Sequence, residues 1–354
     1  MYPIENLRSA APTFRRKNSA LPAGNSFVRL VTAQVIAQIQ RTVAADIALR
    51  QWPHDRVVEE LTRAASAPAM TSVTGWAAEL AQRVVADALD ALGPASAGAQ
   101  LLKLGLVLSF DGAGSISAPG FVAEFGNAGW VAEGDPIPVR QLSATPAILN
   151  PHKLAAIAVL TREMIESSNA EALIGNALMY AAGRMLDEVL FDANPASAAR
   201  PAGLRNGVAA LTASSATDRQ EAFLEDSAAL INALAPVGGN GPYVIVASPG
   251  RAALMAARTA GRESNVTILG SSAVVNDVLA IAPAALVSAL SPTPEIEAGK
   301  AATLHMDTAP TAVGSASPHR SLFQTDSIAL KMRWPITWAL RDARGFAWMT
   351  PTWK

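Results

Sequence analysis

Apolar residues recur at close to helical spacing from Ser26 to Arg50, where Val28, Val31, Val35, Ile36, Ile39, Val43 and Ile47 share a side. That spacing predicts one amphipathic helix, with a second short one near Arg56 to Ala65. Ala67-Pro68-Ala69-Met70-Thr71-Ser72 breaks the pattern. A further helix from Trp76 to Leu92 should stop at Gly93-Pro94, the glycine as a left-handed cap and the proline as a block, and Leu101 to Leu108 continues the apolar run. Asp111-Gly112-Ala113-Gly114 is a turn signal. Beyond it, Trp130-Val131-Ala132-Glu133-Gly134-Asp135-Pro136-Ile137-Pro138 loses two backbone donors to proline and favours an extended, exposed path. The surrounding segment also carries Phe121, Val122 and Phe125, and a loop exposing so many large apolar groups needs a surface to lie on. The pattern leaves open whether that surface is another subunit or the loop's own domain.

Ala147 to Leu160 is expected to form one strand or a pair, and Thr161 to Glu166 a helical turn. Ser167-Ser168-Asn169 then caps a long helix from Glu171 to Asp192, with Glu171 at the positive end of the dipole. At about 1.5 Å per residue this helix spans roughly 33 Å. Its apolar stripe is predicted to contain Leu173, Ile174, Ala177, Leu178, Ala181, Met185, Val189 and Leu190, opposed by Asn176, Arg184, Asp187 and Glu188. A carboxylate metal site built from Glu171, Asp187 and Glu188 is disfavoured, since Asp187 and Glu188 are adjacent and point to different sides.

From about 203 to 312 the element types alternate. Ala222 to Leu234 is helical, Tyr243-Val244-Ile245-Val246-Ala247 is a continuous apolar strand, and Ser248-Pro249 starts a helix that ends before Gly261. Asn276 to Ile281 and Ala302 to Met306 are further strands, making an α/β unit. A dinucleotide-binding reading fails at Val246-Ala247-Ser248-Pro249-Gly250, which lacks the Gly-x-Gly-x-x-Gly that lets a pyrophosphate approach backbone amides. Ser327 to Arg333 alternates apolar and polar residues. Trp334, Trp338, Trp348 and Trp353, four of the seven tryptophans, follow it, either as a tail packed between subunits or as a local aromatic core.

Composition narrows the function. With 354 residues, 50% hydrophobic and 16% charged, the chain can build a large core or two to three domains. It contains no cysteine, which excludes disulfides, thiolate zinc sites and a cysteine nucleophile. No eighteen-residue apolar run and no secretory signal pattern occur, so a soluble, unexported chain with no membrane partner is expected. A net charge of −1 does not indicate phosphate-driven sequence readout. Residues 1–70 carry nine Lys/Arg against five Asp/Glu, a mild basic bias that suits either a solvated helical face or non-specific proximity to packaged DNA. His54, His152, His305 and His319 stand in unrelated contexts, and no hydrolase, zinc-protease or P-loop motif is present. His152 is expected to be solvent-facing or satisfied rather than a general base. No catalytic, cofactor-binding or metal-binding residues are assigned, and the chain is expected not to be an enzyme.

The order of pieces resembles a known family, the major capsid proteins of tailed bacteriophages with the Hong Kong 97 fold. The resemblance runs through the loop tip Trp130 to Pro138, Leu149-Asn150-Pro151-His152-Lys153-Leu154-Ala155, Thr161-Arg162-Glu163-Met164-Ile165-Glu166-Ser167-Ser168, the helix end Leu186-Asp187-Glu188-Val189-Leu190-Phe191 and Pro201-Ala202-Gly203-Leu204. It covers roughly residues 72 to 354, and its specificity lies in the order rather than in any one piece. It implies an α+β fold divided as follows: 1–70 a helical assembly domain or arm, 71–119 an N-terminal arm, 120–147 an extended loop, 148–202 a peripheral domain with a spine helix, 203–312 an axial domain, and 313–354 C-terminal strands of the peripheral domain. It further implies a virion component that assembles in the bacterial host cytoplasm, through pentamers and hexamers, into an icosahedral shell around double-stranded DNA. Portal, scaffold and maturation protease are the implied protein partners. Loop residues Phe121, Phe125, Trp130, Glu133, Asp135 and Ile137 are then expected to touch a neighbour, and Leu173, Ile174, Leu178, Met185 and Val189 to pack the spine helix. An encapsulin-like nanocompartment shell is the alternative on the same fold, and an α/β enzyme with an unrecognised site the alternative of another class.

Overall fold

The computed structural model describes residues 25–53, 55, 58, 62, 85–110, 114–120, 146–161, 163, 170–259, 265–291, 294–300, 303–305 and 319–353. The single helix expected near the start is two. Arg41 adopts a left-handed φ of 55°, which ends α1 (Asn25–Gln40) and lets α2 (Ala44–Gln51) fold back on it. Val43 leaves the apolar stripe for the bend and is exposed. Residues 85–92 are helical and stop at Gly93, whose N–H bonds the Leu89 carbonyl. Gly93 is not among the positive-φ residues, so the helix ends without the left-handed cap that was expected. Ser96 then caps α3 (Ala97–Leu104), its hydroxyl accepting from the Ala99 amide at 2.9 Å. The run Leu101 to Leu108 is therefore split between α3 and β1 (Leu106–Ser109).

After β1 come β2 (Ile116–Ala118), β3 (Ala147–Leu149), β4 (His152–Thr161) and the long helix α4 (Ala170–Leu190). Next are α5 (Arg219–Gly238), β5 (Tyr243–Ala247), α6 (Pro249–Thr259), β6 (Val266–Gly270), β7 (Val278–Ile281), β8 (Leu286–Leu290) and β9 (Glu295–Gly299). β10 (Thr303–His305) and β11 (His319–Ser321) form a separate antiparallel pair, and β12 (Ser327–Leu340) and β13 (Phe346–Met349) close the described chain. The α+β class expected from the sequence is the class observed.

Fourteen-residue β12 organises a five-stranded sheet. On one side it pairs antiparallel with β4, from Ser327↔Thr161 to Ile336↔His152. On the other it pairs first with β9, then with β8, which in turn carries β1 in parallel. Pro335 sits where β9 ends and β8 begins; its carbonyl accepts from Ser291 on that side, so its missing N–H falls at the junction and breaks no ladder bond.

The second sheet has the order β13-β7-β5-β6. Successive β5 side chains point to opposite faces. Val244 and Val246 enter the main core with α4 and β12, whereas Tyr243, Ile245 and Ala247 pack with Phe223, Leu230 and Leu234 of α5. The continuous apolar run therefore reflects a strand buried on both faces. The four C-terminal tryptophans form local core: their indole N–H groups bond Ser291 O, Ala202 O, Val208 O and an Asp226 carboxylate oxygen, all in their own chain.

Candidate functional site

Every loop residue singled out from the sequence, Phe121, Phe125, Trp130, Glu133, Asp135 and Ile137, lies outside the described residues. What is described is the stem. β2 and β3 pair antiparallel from Ile116↔Leu149 to Ala118↔Ala147, so the two strands flanking that segment lie side by side. Ala118 and Leu149 pack with Phe110, Val287 and Ala289, and Arg341 Nε donates to the Pro119 carbonyl at 2.8 Å. These contacts bind the stem to β8 and β12. Beside it lies a recess of about 530 Å³ lined by Asn150, His152, Ser197, Asn206, Thr337 and Trp338, among others. There the His152 ring nitrogens lie 3.3 Å from Thr337 Oγ1 and from the Ser197 carbonyl. The carbonyl can only accept, so the neutral ring places its hydrogen on Nε2.

The orientation of α4 differs from the predicted stripe. Leu178, Met179, Ala182, Leu186 and Leu190 are buried, Val189 is half-buried, and Met185 is 46% exposed. Leu173 and Ile174 belong to the helix, but their side chains are outside the described set. Met185 is therefore not a packing residue of this chain's core, and Asp187, assigned to the polar face, is inside at 4% exposure.

The reason is a joint between three elements. Asp187 accepts from the Ser96 hydroxyl at 2.5 Å and the Gly98 amide at 2.8 Å, both through Oδ1. Its Oδ2 accepts from the Ala97 amide at 3.2 Å and the Ser271 hydroxyl at 2.6 Å. A carboxylate at the N-terminus of α3 satisfies amides that the helix leaves unpaired and meets the positive end of its dipole. Ser271, just past β6, brings the second sheet to the same carboxylate. The approach is close: a Cβ on Gly98 would stand 2.8 Å from Asp187 Oδ1 and from Leu190 Cδ2, and one on Gly183 3.1 Å from Ala95 Cβ.

The C-terminal end of α4 explains Pro201-Ala202-Gly203-Leu204. The Leu204 amide donates to the Leu190 carbonyl at 2.8 Å, closing the helix end. A Cβ on Gly203 would fall 2.1 Å from Asp192 Oδ1, so only glycine fits. Asp192 in turn pairs with Arg200 at 2.6 Å and accepts from Asn194. Partial burial draws its carboxyl upward, but the bonds from Arg200 and Asn194 outweigh this and hold it below its ordinary value.

Several large apolar groups face water on the described surface. Ile157 lies on β4, an edge strand among the described residues; Leu224 and Leu254 lie on the helices of the second sheet; Val275 and Phe323 lie on turns. Long edge strands with exposed apolar groups are open to pairing with another chain. Among the described residues no group of three His, Asp or Glu is arranged to hold a metal, and no helix is long and apolar enough to cross a membrane.

Residues 94–261 match the model of the phage capsid family. The chain is 27% identical over 376 aligned positions to the capsid polyprotein of Pseudomonas phage PAJU2, covering 95% of this chain and 55% of that one. It thus spans about half the length of that relative. Among solved structures it is similar to a chain of Microbacterium phage Oxtober96, at TM-score 0.48 and 18% identity, covering 73% of this chain and 91% of that one. It is similar also to the capsid of a native GTA particle, at TM-score 0.43 and 14% identity, covering 72% and 90%.

Proposed function

Because residues 94–261 match the model of the phage capsid family, we propose that the chain is a major capsid protein that assembles with copies of itself into an icosahedral shell. That match carries the reading, because it runs from α3 through the loop stem and the spine helix to α6. Pentamers and hexamers are the assembly units, and double-stranded DNA, held non-specifically, is the content. Portal, scaffold and maturation protease are the further partners, and assembly takes place in the bacterial cytoplasm before the protein resides in the virion. Residues 148–202 with 313–354 act as the peripheral domain, 203–312 as the axial domain, and 71–119 as the arm.

In this reading the subunit has no reaction to catalyse, and its work is association: many modest contacts repeated by symmetry. The stem presents the 120–147 loop to a neighbour, where Phe121, Phe125, Trp130 and Ile137 bury apolar surface and Glu133 or Asp135 pairs with an arginine. The rigid joint at Asp187 keeps the axial sheet, the arm helix and the spine helix in one orientation, so that these contacts repeat with the same geometry in each copy. Neither alternative is favoured. For an enzyme of doubly wound type, the second sheet has the wrong build, with β5 and β6 its one parallel pair among the described strands.

Electron microscopy of the purified, overexpressed chain tests the proposal. Closed shells or capsomers are expected. Deletion of Asn127 to Pro138 should leave soluble subunits that no longer close shells. A small discrete particle at every concentration would overturn the capsid reading, and normal shells from the deletion would overturn the loop's role.

A further inference from the structure

The sequence alone leaves residues 1–70 as either a removable precursor or a retained part of the subunit. Packing of α1 discriminates between them. Phe27, Leu30, Val31, Thr32, Ala33 and Val35 are each no more than 1% exposed, which is burial on more than one face of a sixteen-residue helix. Phe27 meets Trp334 of β12 with ring centroids 5.5 Å apart, and Trp334 is itself fully buried. Val31 and Val35 join the same core as Leu178 and Leu186 of α4 and Leu330 and Met332 of β12. On another face Ala33, Ile36 and Ala37 pack with Ile47 of α2. Arg29 pairs with Asp55 at 2.8 Å, and the Asp55 side chain is only 8% exposed, so the chain beyond α2 is tied back to α1 as well.

A segment made to be discarded has to leave behind a surface that tolerates water. Here its departure would uncover Trp334 of the main sheet together with the faces of α4 and β9 on which α1 packs, an apolar surface of the kind soluble subunits avoid. We infer that residues 25–53 are a permanent lid on the main core, and that they stay on the subunit even where the chain is cut beyond them. The inference concerns packing within one chain and holds for a lone subunit as well as for a shell, so its failure and the failure of the capsid reading are separately observable.

A specific-protease site inserted after Met70 tests this in the full chain. After cleavage, the fragment 1–70 is expected to co-elute with the remainder in native size exclusion, although denaturing electrophoresis separates the two. Hydrogen exchange over 327–340 should stay at the level of the uncut chain. In the same cut chain, Val31→Asp should abolish co-elution and raise exchange over 327–340. Separation of the parent fragment on cleavage overturns the inference, whether the remainder stays soluble or precipitates. So does unchanged exchange over 327–340 in a chain that has lost the fragment.

Discussion

Asp187 is the residue whose position most alters the picture of this molecule. A carboxylate between Leu186 and Glu188 on an amphipathic helix belongs to the solvent side by pattern, yet it is 4% exposed and receives bonds from Ser96, Ala97, Gly98 and Ser271. Nothing local to Asp187 announces this, because its donors lie about ninety residues away on one side and about eighty on the other. Removing the carboxylate leaves buried donors without acceptors, at about 1–3 kcal/mol for each one orphaned. Asp187→Ala is therefore expected to destabilise the subunit on the order of 3 kcal/mol or more in chemical denaturation. It should also raise hydrogen exchange selectively over 97–104 and 270–274. An exchange map unchanged in both segments would mean that the carboxylate does not join them.

At the scale of the element, α4 and the turn after it make opposite tests. Leu178 is fully buried and Met185 is half in water, so Leu178→Ala should cost about 2–5 kcal/mol while Met185→Ala stays within about 0.5 kcal/mol. Equal unfolding midpoints for the two variants would contradict the observed rotation of the helix. In the turn, Arg200 and Asn194 hold the Asp192 carboxyl below its ordinary 3.8 despite partial burial. A carboxyl depressed in the folded state stabilises it above the unfolded-state pKa, and that contribution is lost as pH falls through the folded value. Thermal stability of the parent should accordingly include a component that disappears on acidification below about pH 3.8, and Asp192→Asn should be less stable at neutral pH but show a shallower loss in that acid range. A parallel decline in the two proteins would remove Asp192 from the account.

For the whole molecule, the distribution of lysine limits how copies can be joined. Some members of the family that this chain resembles weld their shells by an isopeptide bond between a loop lysine and a neighbour's asparagine. No lysine occurs here between Lys103 and Lys153, and Phe121 to Ala144 contains Arg140 as its one cation. A guanidinium stays protonated and is a poor nucleophile. A shell of this protein is therefore expected to be held non-covalently, by loop burial and by charge pairs that contribute little each when exposed. Boiling mature particles in detergent should release single chains on denaturing electrophoresis, and a ladder of covalent oligomers would refute this.

The pattern of residues by itself determined the kinds of element and much of their order: the long helix, the apolar strand Tyr243–Ala247 with the Ser248-Pro249 start of the next helix, and the extended chain on either side of Asn150. These are legible because periodicity, capping and proline act over a few neighbours. Three things were settled by tertiary structure alone. Arg41 breaks the first helix because the fold needs α2 to return across α1, although no glycine or proline marks the bend. Strands β8 and β9 escaped notice because each has five residues and takes its stability from β12, a partner about fifty or fewer residues further on. Asp187 faces inward and Met185 outward because the inner side of α4 must supply an acceptor to the amides of α3 as well as apolar surface. A hydrophobic stripe counts only the second of those demands, and the first exists only once distant segments have come together.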